Sequence, residues 1–189
     1  MACMEKRYRE AANLIEATDE LLLYFRDYLQ TQPEIKNLKD ERDRLTKELR
    51  LQVLEDFGSM GQGAIKEQLQ EACLVMGAIG GQAISDLRSW HSQQFLQPYR
   101  ELFEPGKQYA AFENTKRRFA WYKRTVKETG AQFEDVFPPS WQTQELNAYE
   151  FCRTTKVHLD TILSSSFQDI DVQLIIEAMQ QATEFENQL

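Results

Sequence analysis

Glycine and proline are scarce in this chain, with 8 and 5 residues respectively among 189. A fold built from β-sheets needs many tight turns, and tight turns draw on both residues. Their scarcity therefore argues against an all-β protein. Long hydrophobic runs are also missing. The longest runs, such as Leu21–Phe25, have five residues, far short of the roughly 20 apolar residues that a membrane-spanning helix needs.

Cysteine is rare as well, with three residues that lie far apart in the sequence: Cys3, Cys73 and Cys152. They form neither a disulfide framework nor a Cys-x-x-Cys motif, which favours a reducing, cytosolic compartment. The first seven residues carry charges with no apolar segment behind them, so a secretory signal is not expected.

Positive charge is in deficit. The chain has 22 basic and 30 acidic residues, which gives a formal net charge of −8. Proteins that bind nucleic acid along their whole length are normally basic, because they must neutralise phosphates. Nucleic acid is therefore not an expected partner.

The sequence does contain helical periodicity. Apolar residues recur at three- and four-residue steps in seven segments, and no segment alternates with the period of a strand. This pattern predicts an all-α fold of six or seven helices with short connections, either an antiparallel bundle or an elongated stack. The segments cover residues 5–30, 34–57, 64–79, 82–103, 112–136, 145–163 and 169–189.

The clearest break in the pattern is the glycine-rich stretch Gly58–Gly63. Glycine gives the backbone high conformational freedom and buries little surface, which is typical of a linker. The sequence therefore predicts three parts: an N-terminal helical hairpin over 1–57, a linker over 58–63 and a helical bundle over 64–189.

The segment 112–136 has the most regular pattern. Its apolar and threonine positions step alternately by three and four residues, as in a heptad seam. They are Phe112, Thr115, Phe119, Tyr122, Val126, Thr129, Phe133 and Val136. Trp121 falls nominally off this seam, where an uncovered indole would be unfavourable. We predict that Trp121 packs against a second neighbouring element; the alternative is a tryptophan at a partner surface.

The same segment is crowded with cations, and two interpretations stay open. In the first, this basic helix packs near an acidic one, because six acids and no lysine or arginine follow Val157. In the second, the cations contact an acidic partner protein or anionic lipid headgroups. The candidate contact residues are Arg117, Arg118, Lys123, Arg124 and Lys127.

Residues that could carry chemistry are few. His91 and His158 have no partner at metal-ligand spacing, so a structural or surface role is expected for both. Cys73 and Cys152 fall on apolar helix stripes, which favours small buried hydrophobes. We therefore predict no catalytic residues, no metal site and no cofactor, and we do not expect an enzyme.

Several strings, taken in order, resemble the vacuolar protein sorting-associated protein 53 family. The main ones are Leu69–Met76, Lys116–Arg124, Phe137–Trp141 and Phe151–Lys156, and the flanking strings Arg7–Leu14 and Gln180–Glu186 extend the resemblance over nearly the whole chain. Three positions depart from the family pattern. The family tends to have an acidic residue where this chain has Lys116, tyrosine where it has Phe119, and arginine where it has Lys156. Family members are several times longer, so the chain is expected to be an internal piece.

The resemblance implies a scaffold segment of the Golgi-associated retrograde protein (GARP) complex and of its endosomal-recycling (EARP) variant. Such complexes are multisubunit tethers built from helical rods, which capture endosome-derived vesicles at the trans-Golgi network and promote SNARE-mediated fusion. The implied partners are the other subunits, and SNAREs or small GTPases. The implied location is peripheral, on the cytoplasmic face of the trans-Golgi network and endosomes. The alternatives are a peripheral membrane-binding module and a generic helical adaptor.

Overall fold

The computed structural model describes residues 7–59, 65–133, 135–166 and 170–188, with the backbone alone for 130–133 and 166. Within these residues the chain forms seven α-helices and no strand, which confirms the predicted all-α fold. The helices are α1 (Tyr8–Tyr24), α2 (Pro33–Gly58), α3 (Lys66–Ile79), α4 (Gly81–Phe103), α5 (Thr115–Phe133), α6 (Thr143–Ser166) and α7 (Val172–Glu186). Short 3-10 turns occur at Arg26–Tyr28, Phe112–Asn114 and Pro139–Trp141.

Local sequence signals set several helix ends. Pro33 begins α2, where its missing N–H is not needed. Gly80 ends α3 with φ 120°, in the left-handed region that favours glycine. Asp171 caps α7, because its carboxylate accepts a hydrogen bond of 3.0 Å from the backbone N–H of Gln173.

Several predicted segments are longer than the helices that form, and the first and the fifth illustrate the difference. The first was expected to reach Gln30, but α1 ends at Tyr24 and a 3-10 turn follows. The heptad seam was expected to run from Phe112 to Val136, but α5 covers only Thr115–Phe133. The chain leaves helical geometry at Asp135, which has φ 63°, just before the prolines that forbid further helix.

The described residues of 7–88 and 135–141 form one compact unit. Its core comes from one apolar face each of α1, α2 and α3, and it includes Tyr8, Ala12, Val53, Leu69 and Met76. The segment 135–141 joins this unit by specific contacts. The Gln70 side chain donates a 2.8 Å hydrogen bond to the backbone carbonyl of Asp135, and Phe137 stacks on Phe57 with ring centroids 5.3 Å apart.

The second compact unit comprises the described residues of 89–133 and 142–188. It contains the larger part of α4 together with α5, α6 and α7. Its core is predominantly aromatic and consists of Leu96, Tyr99, Phe103, Phe119, Trp121, Tyr122, Phe151 and Phe185. Within this unit α4 and α6 run parallel, because His91 contacts Asn147 and, eight residues further on in both helices, Tyr99 contacts Thr155.

The predicted three-part division stays a prediction. Gly58 is the last residue of α2, and residues 60–63 of the expected linker lie outside the described residues. The predicted elongated, rod-like arrangement also stays a prediction.

Candidate functional site

Helix α5 carries the residues that the sequence singled out, and it has two different faces. The buried face includes Thr115, Arg118, Phe119, Trp121 and Tyr122, an arc wide enough to contact several neighbouring helices. The opposite face carries exposed cations. The contacts of each face decide which of its side chains are available to a partner.

Trp121 is buried, with 7% of its surface exposed. Its ring lies against Phe95 and Tyr99 of α4, at centroid distances of 6.1 and 5.2 Å, and against Phe151 of α6 at 6.4 Å. The prediction of a second packing neighbour is therefore confirmed. The indole lies in the interior of the second unit rather than at an exposed partner surface.

Arg118 is fully buried, although the sequence placed it among the candidate contact residues. Its guanidinium donates hydrogen bonds to the hydroxyl of Tyr99 (3.0 Å) and to the backbone carbonyl of Ala110 (2.8 Å). It also lies 5.1 Å from the centroid of the Phe103 ring. Assigning Arg118 to an exposed patch was wrong, because the residue lies on the inward arc of α5, beside Phe119. Its two terminal nitrogens have hydrogen-bond partners there, whereas its Nε has none among the described residues.

The hydrogen bonds of Arg118 continue into α6. The Tyr99 hydroxyl lies 2.7 Å from the Thr155 hydroxyl, and the ring of His158 stacks on Tyr99 at 5.8 Å. A nitrogen of His158 lies 3.4 Å from the Arg118 guanidinium. Burial and the nearby Arg118 charge lower the pKa of His158, which favours the neutral imidazole.

This buried polar network was not predicted from the sequence. Phe151, Thr155 and His158 follow one another at steps of four and three in α6, which places them on one face. That spacing could have grouped the three residues. No signal in the sequence connects them to Tyr99 or Arg118, because the contacts are between helices distant in sequence.

The other four candidate contact residues, Arg117, Lys123, Arg124 and Lys127, are exposed. Arg117, Arg124 and Lys127 are separated by steps of seven and three, so they share one side of the helix. Arg124 pairs with Glu128 in its own helix at 3.7 Å, an exposed pair of small energetic value. The guanidinium of Arg117 lies 5.7 Å from the Tyr109 ring.

Helix α7 packs on α5 through an aromatic stack and a cation–ring contact. Phe185 stacks on Phe119 with ring centroids 4.7 Å apart. The Lys123 ammonium lies 5.8 Å from the Phe185 ring centroid and donates a hydrogen bond to the side chain of Gln188. The basic helix thus contacts the acidic C-terminal region and still leaves cations exposed to solvent.

The remaining candidate residues have structural surroundings. Cys73 is buried as predicted, and burial raises the pKa of its thiol to about 12, whereas Cys152 is only half-buried. His91 is buried, lies 3.4 Å from the amide of Asn147, and has a pKa that burial lowers to about 4. In the described part of the chain, no group of three or more histidine, cysteine or acidic side chains is placed to hold a metal ion.

One further finding concerns the helices. None of the described helices is both long enough and apolar enough to cross a membrane.

Comparison with known proteins decides the family. The family profile described as "Vps53, N-terminal" matches residues 2–189. The chain belongs to the Vps53 family. This finding confirms the resemblance that the ordered strings of residues indicated.

Its relatives come from plants, animals and fungi. Vacuolar protein sorting-associated protein 53 A of Arabidopsis thaliana is 29% identical over 191 residues, covering 98% of this chain and 23% of the relative. The Caenorhabditis elegans homolog is 26% identical, covering 96% of this chain and 23% of the relative. The Saccharomyces cerevisiae protein is 25% identical over 51% of this chain and 12% of its own length. The chain thus spans about a quarter of the length of the first two relatives. No solved structure matches it.

Proposed function

We propose that this chain is a non-enzymatic scaffold segment of a multisubunit vesicle-tethering complex. The observation that carries the proposal is the match of the Vps53 N-terminal family to residues 2–189. The names of the relatives associate them with vacuolar protein sorting, which is membrane traffic. The proposed steps are retrograde transport from endosomes to the trans-Golgi network and endosomal recycling, through the GARP and EARP complexes.

The fold supports a scaffold role. The second unit is held together by a continuous aromatic core and a buried polar network, so its helices present their outer faces in fixed positions. The proposed partners on those faces are the other subunits of the tether, with SNAREs or small GTPases as further partners. The proposed location is peripheral, on the cytoplasmic face of the trans-Golgi network and endosomes.

Affinity capture of the full-length protein that contains this segment tests the proposal. We expect the other subunits of the retrograde complex among the proteins recovered from cells. The control is the same protein with residues 7–188 deleted, which should recover fewer of them. If the intact protein recovers none of these subunits, a generic helical adaptor is the better description.

A peripheral membrane-binding function is the second candidate, and the exposed cations of α5 favour it. Basic residues at a surface attract anionic lipids by about 1 kcal/mol each, and salt weakens this attraction. Flotation of the isolated chain with anionic vesicles measures the binding. Binding that salt abolishes and that Arg124→Gln with Lys127→Gln reduces supports this function. The matched control changes two exposed lysines of α2, Lys36→Gln with Lys47→Gln.

A further inference from the structure

A small cavity lies between the parallel helices α4 and α6 of the second unit. Its volume is about 170 Å³, enough for several water molecules or for one small polar group. Polar side chains dominate its lining. They are Ser89, Ser92, Gln93 and Arg100 of α4, with Glu150 and Arg153 of α6.

The hydroxyl of Ser92 is the first observation that points to a ligand site at the cavity. Ser92 is 2% exposed, and its oxygen has no hydrogen-bond partner among the described residues. An unmade hydrogen bond on a buried hydroxyl destabilises a protein, so such groups usually have a reason to be present. A ligand in the cavity would supply the missing partner.

Arg100 is the second sign. Its side chain is half-buried at the cavity, and within the described residues it has no carboxylate partner. Arg153 differs, because it donates two hydrogen bonds to one oxygen of Glu150, at 2.9 and 2.6 Å. The Arg153 and Glu150 charges therefore compensate each other, and Arg100 leaves the lining with one positive charge in excess.

We propose that this cavity binds the carboxylate of an aspartate or glutamate side chain from a partner protein. Arg100 would supply the planar pair of N–H donors that fits a carboxylate, and Ser92 would donate a further hydrogen bond. A carboxylate carries the single negative charge that balances the excess positive charge of the lining, whereas a doubly charged phosphate would exceed it. That the carboxylate belongs to a partner protein rests on the proposed scaffold function.

Titration by NMR of the ¹⁵N-labelled chain at constant ionic strength tests this proposal. The probes are capped glutamate (N-acetyl-glutamic acid α-amide), which bears only the side-chain carboxylate, and its neutral glutamine counterpart. We expect capped glutamate to cause saturable shifts, with millimolar affinity, of the Ser92 and Gln93 amides and of the Arg100 Nε–H. The glutamine compound should cause none.

Two variants locate the binding. In Arg100→Gln the affinity should fall at least tenfold, whereas Arg26→Gln, which removes an exposed arginine far from the cavity in sequence, should leave it unchanged. Ser92→Ala removes a buried hydroxyl without a partner, so it should keep or raise the melting temperature while it weakens binding. This combination is not expected of a purely structural serine.

Several results would overturn the proposal: no saturable shift, equal shifts with the glutamine compound, or full binding by Arg100→Gln. Tighter binding of inorganic phosphate to the same amides would make the cavity a phosphate site instead. The titration and affinity capture can fail separately. If affinity capture succeeds but capped glutamate does not bind, only the proposal of a carboxylate site in this cavity is overturned. If capped glutamate binds but affinity capture fails, the carboxylate site stands and its partner lies outside the tether.

Discussion

Arg117 and Arg118 are adjacent identical residues with opposite environments. Arg117 is exposed, whereas Arg118 is fully buried and hydrogen-bonded to Tyr99 and Ala110. A helix turns by about 100° per residue, so neighbouring positions can lie on different faces. The composition of a charge cluster therefore does not establish that all of its members reach the surface.

This pair gives a matched experiment. Arg118→Ala should lower the free energy of unfolding by about 2–4 kcal/mol, because it leaves the Ala110 carbonyl unpaired in the core and removes buried contacts. Arg117→Ala should lower it by less than about 1 kcal/mol, the value of an exposed cation–ring contact. Urea denaturation of both variants measures the difference. Equal effects would show that Arg118 does not act as a buried core residue.

Trp121 gives the second prediction at this scale. Trp121→Ala should destabilise the chain by about 3–5 kcal/mol, because it removes a large side chain from between Phe95, Tyr99 and Phe151. Thermal unfolding should show a melting temperature lower by many degrees. The control is Tyr149→Ala, since Tyr149 is 64% exposed and its loss should change the stability little. Unchanged stability with loss of partner capture would instead make Trp121 an interface residue.

At the scale of elements, α5 shows what the sequence could and could not predict. The heptad spacing correctly predicted the burial of Phe119 and Tyr122. It failed at Val126, which is 39% exposed, and it missed Arg118. A repeating pattern assumes one uniform partner along the helix, whereas α5 contacts α4, α6 and α7 at different positions.

The helices themselves were predictable, because each has an apolar face of helical period and clear end signals such as Pro33 and Gly80. The polar network of Tyr99, Thr155 and His158 was not predictable. Its members lie on α4 and α6, and only the three-dimensional packing of those helices brings them together. The cavity at Ser92 and Arg100 was missed for the same reason.

The attachment of α7 gives a prediction at the element scale. Phe185→Ala removes the ring that stacks on Phe119 and lies beside Lys123. Helix α7 should therefore lose much of its packing against α5. Hydrogen exchange should become faster throughout residues 172–186, while residues 89–103 of α4 stay protected. Met179→Ala is the control, because Met179 is 66% exposed. Faster exchange over the whole chain would mean that α7 does not detach as a local element.

At the scale of the whole molecule, the proposed function depends on family membership and on the surfaces that the fold leaves exposed. The family match covers residues 2–189, and the chain corresponds to about a quarter of the length of its Arabidopsis and nematode relatives. The proposed scaffold function requires this segment to contact other subunits of the tether.

Cross-linking mass spectrometry of the affinity-purified complex detects such contacts directly. A lysine-reactive reagent would be applied to the complex assembled around the full-length protein. We expect links from the exposed lysines of α5, Lys116, Lys123 and Lys127, to other subunits of the tether. A complex that assembles fully while every link from this segment stays within its own chain would contradict the proposed scaffold function.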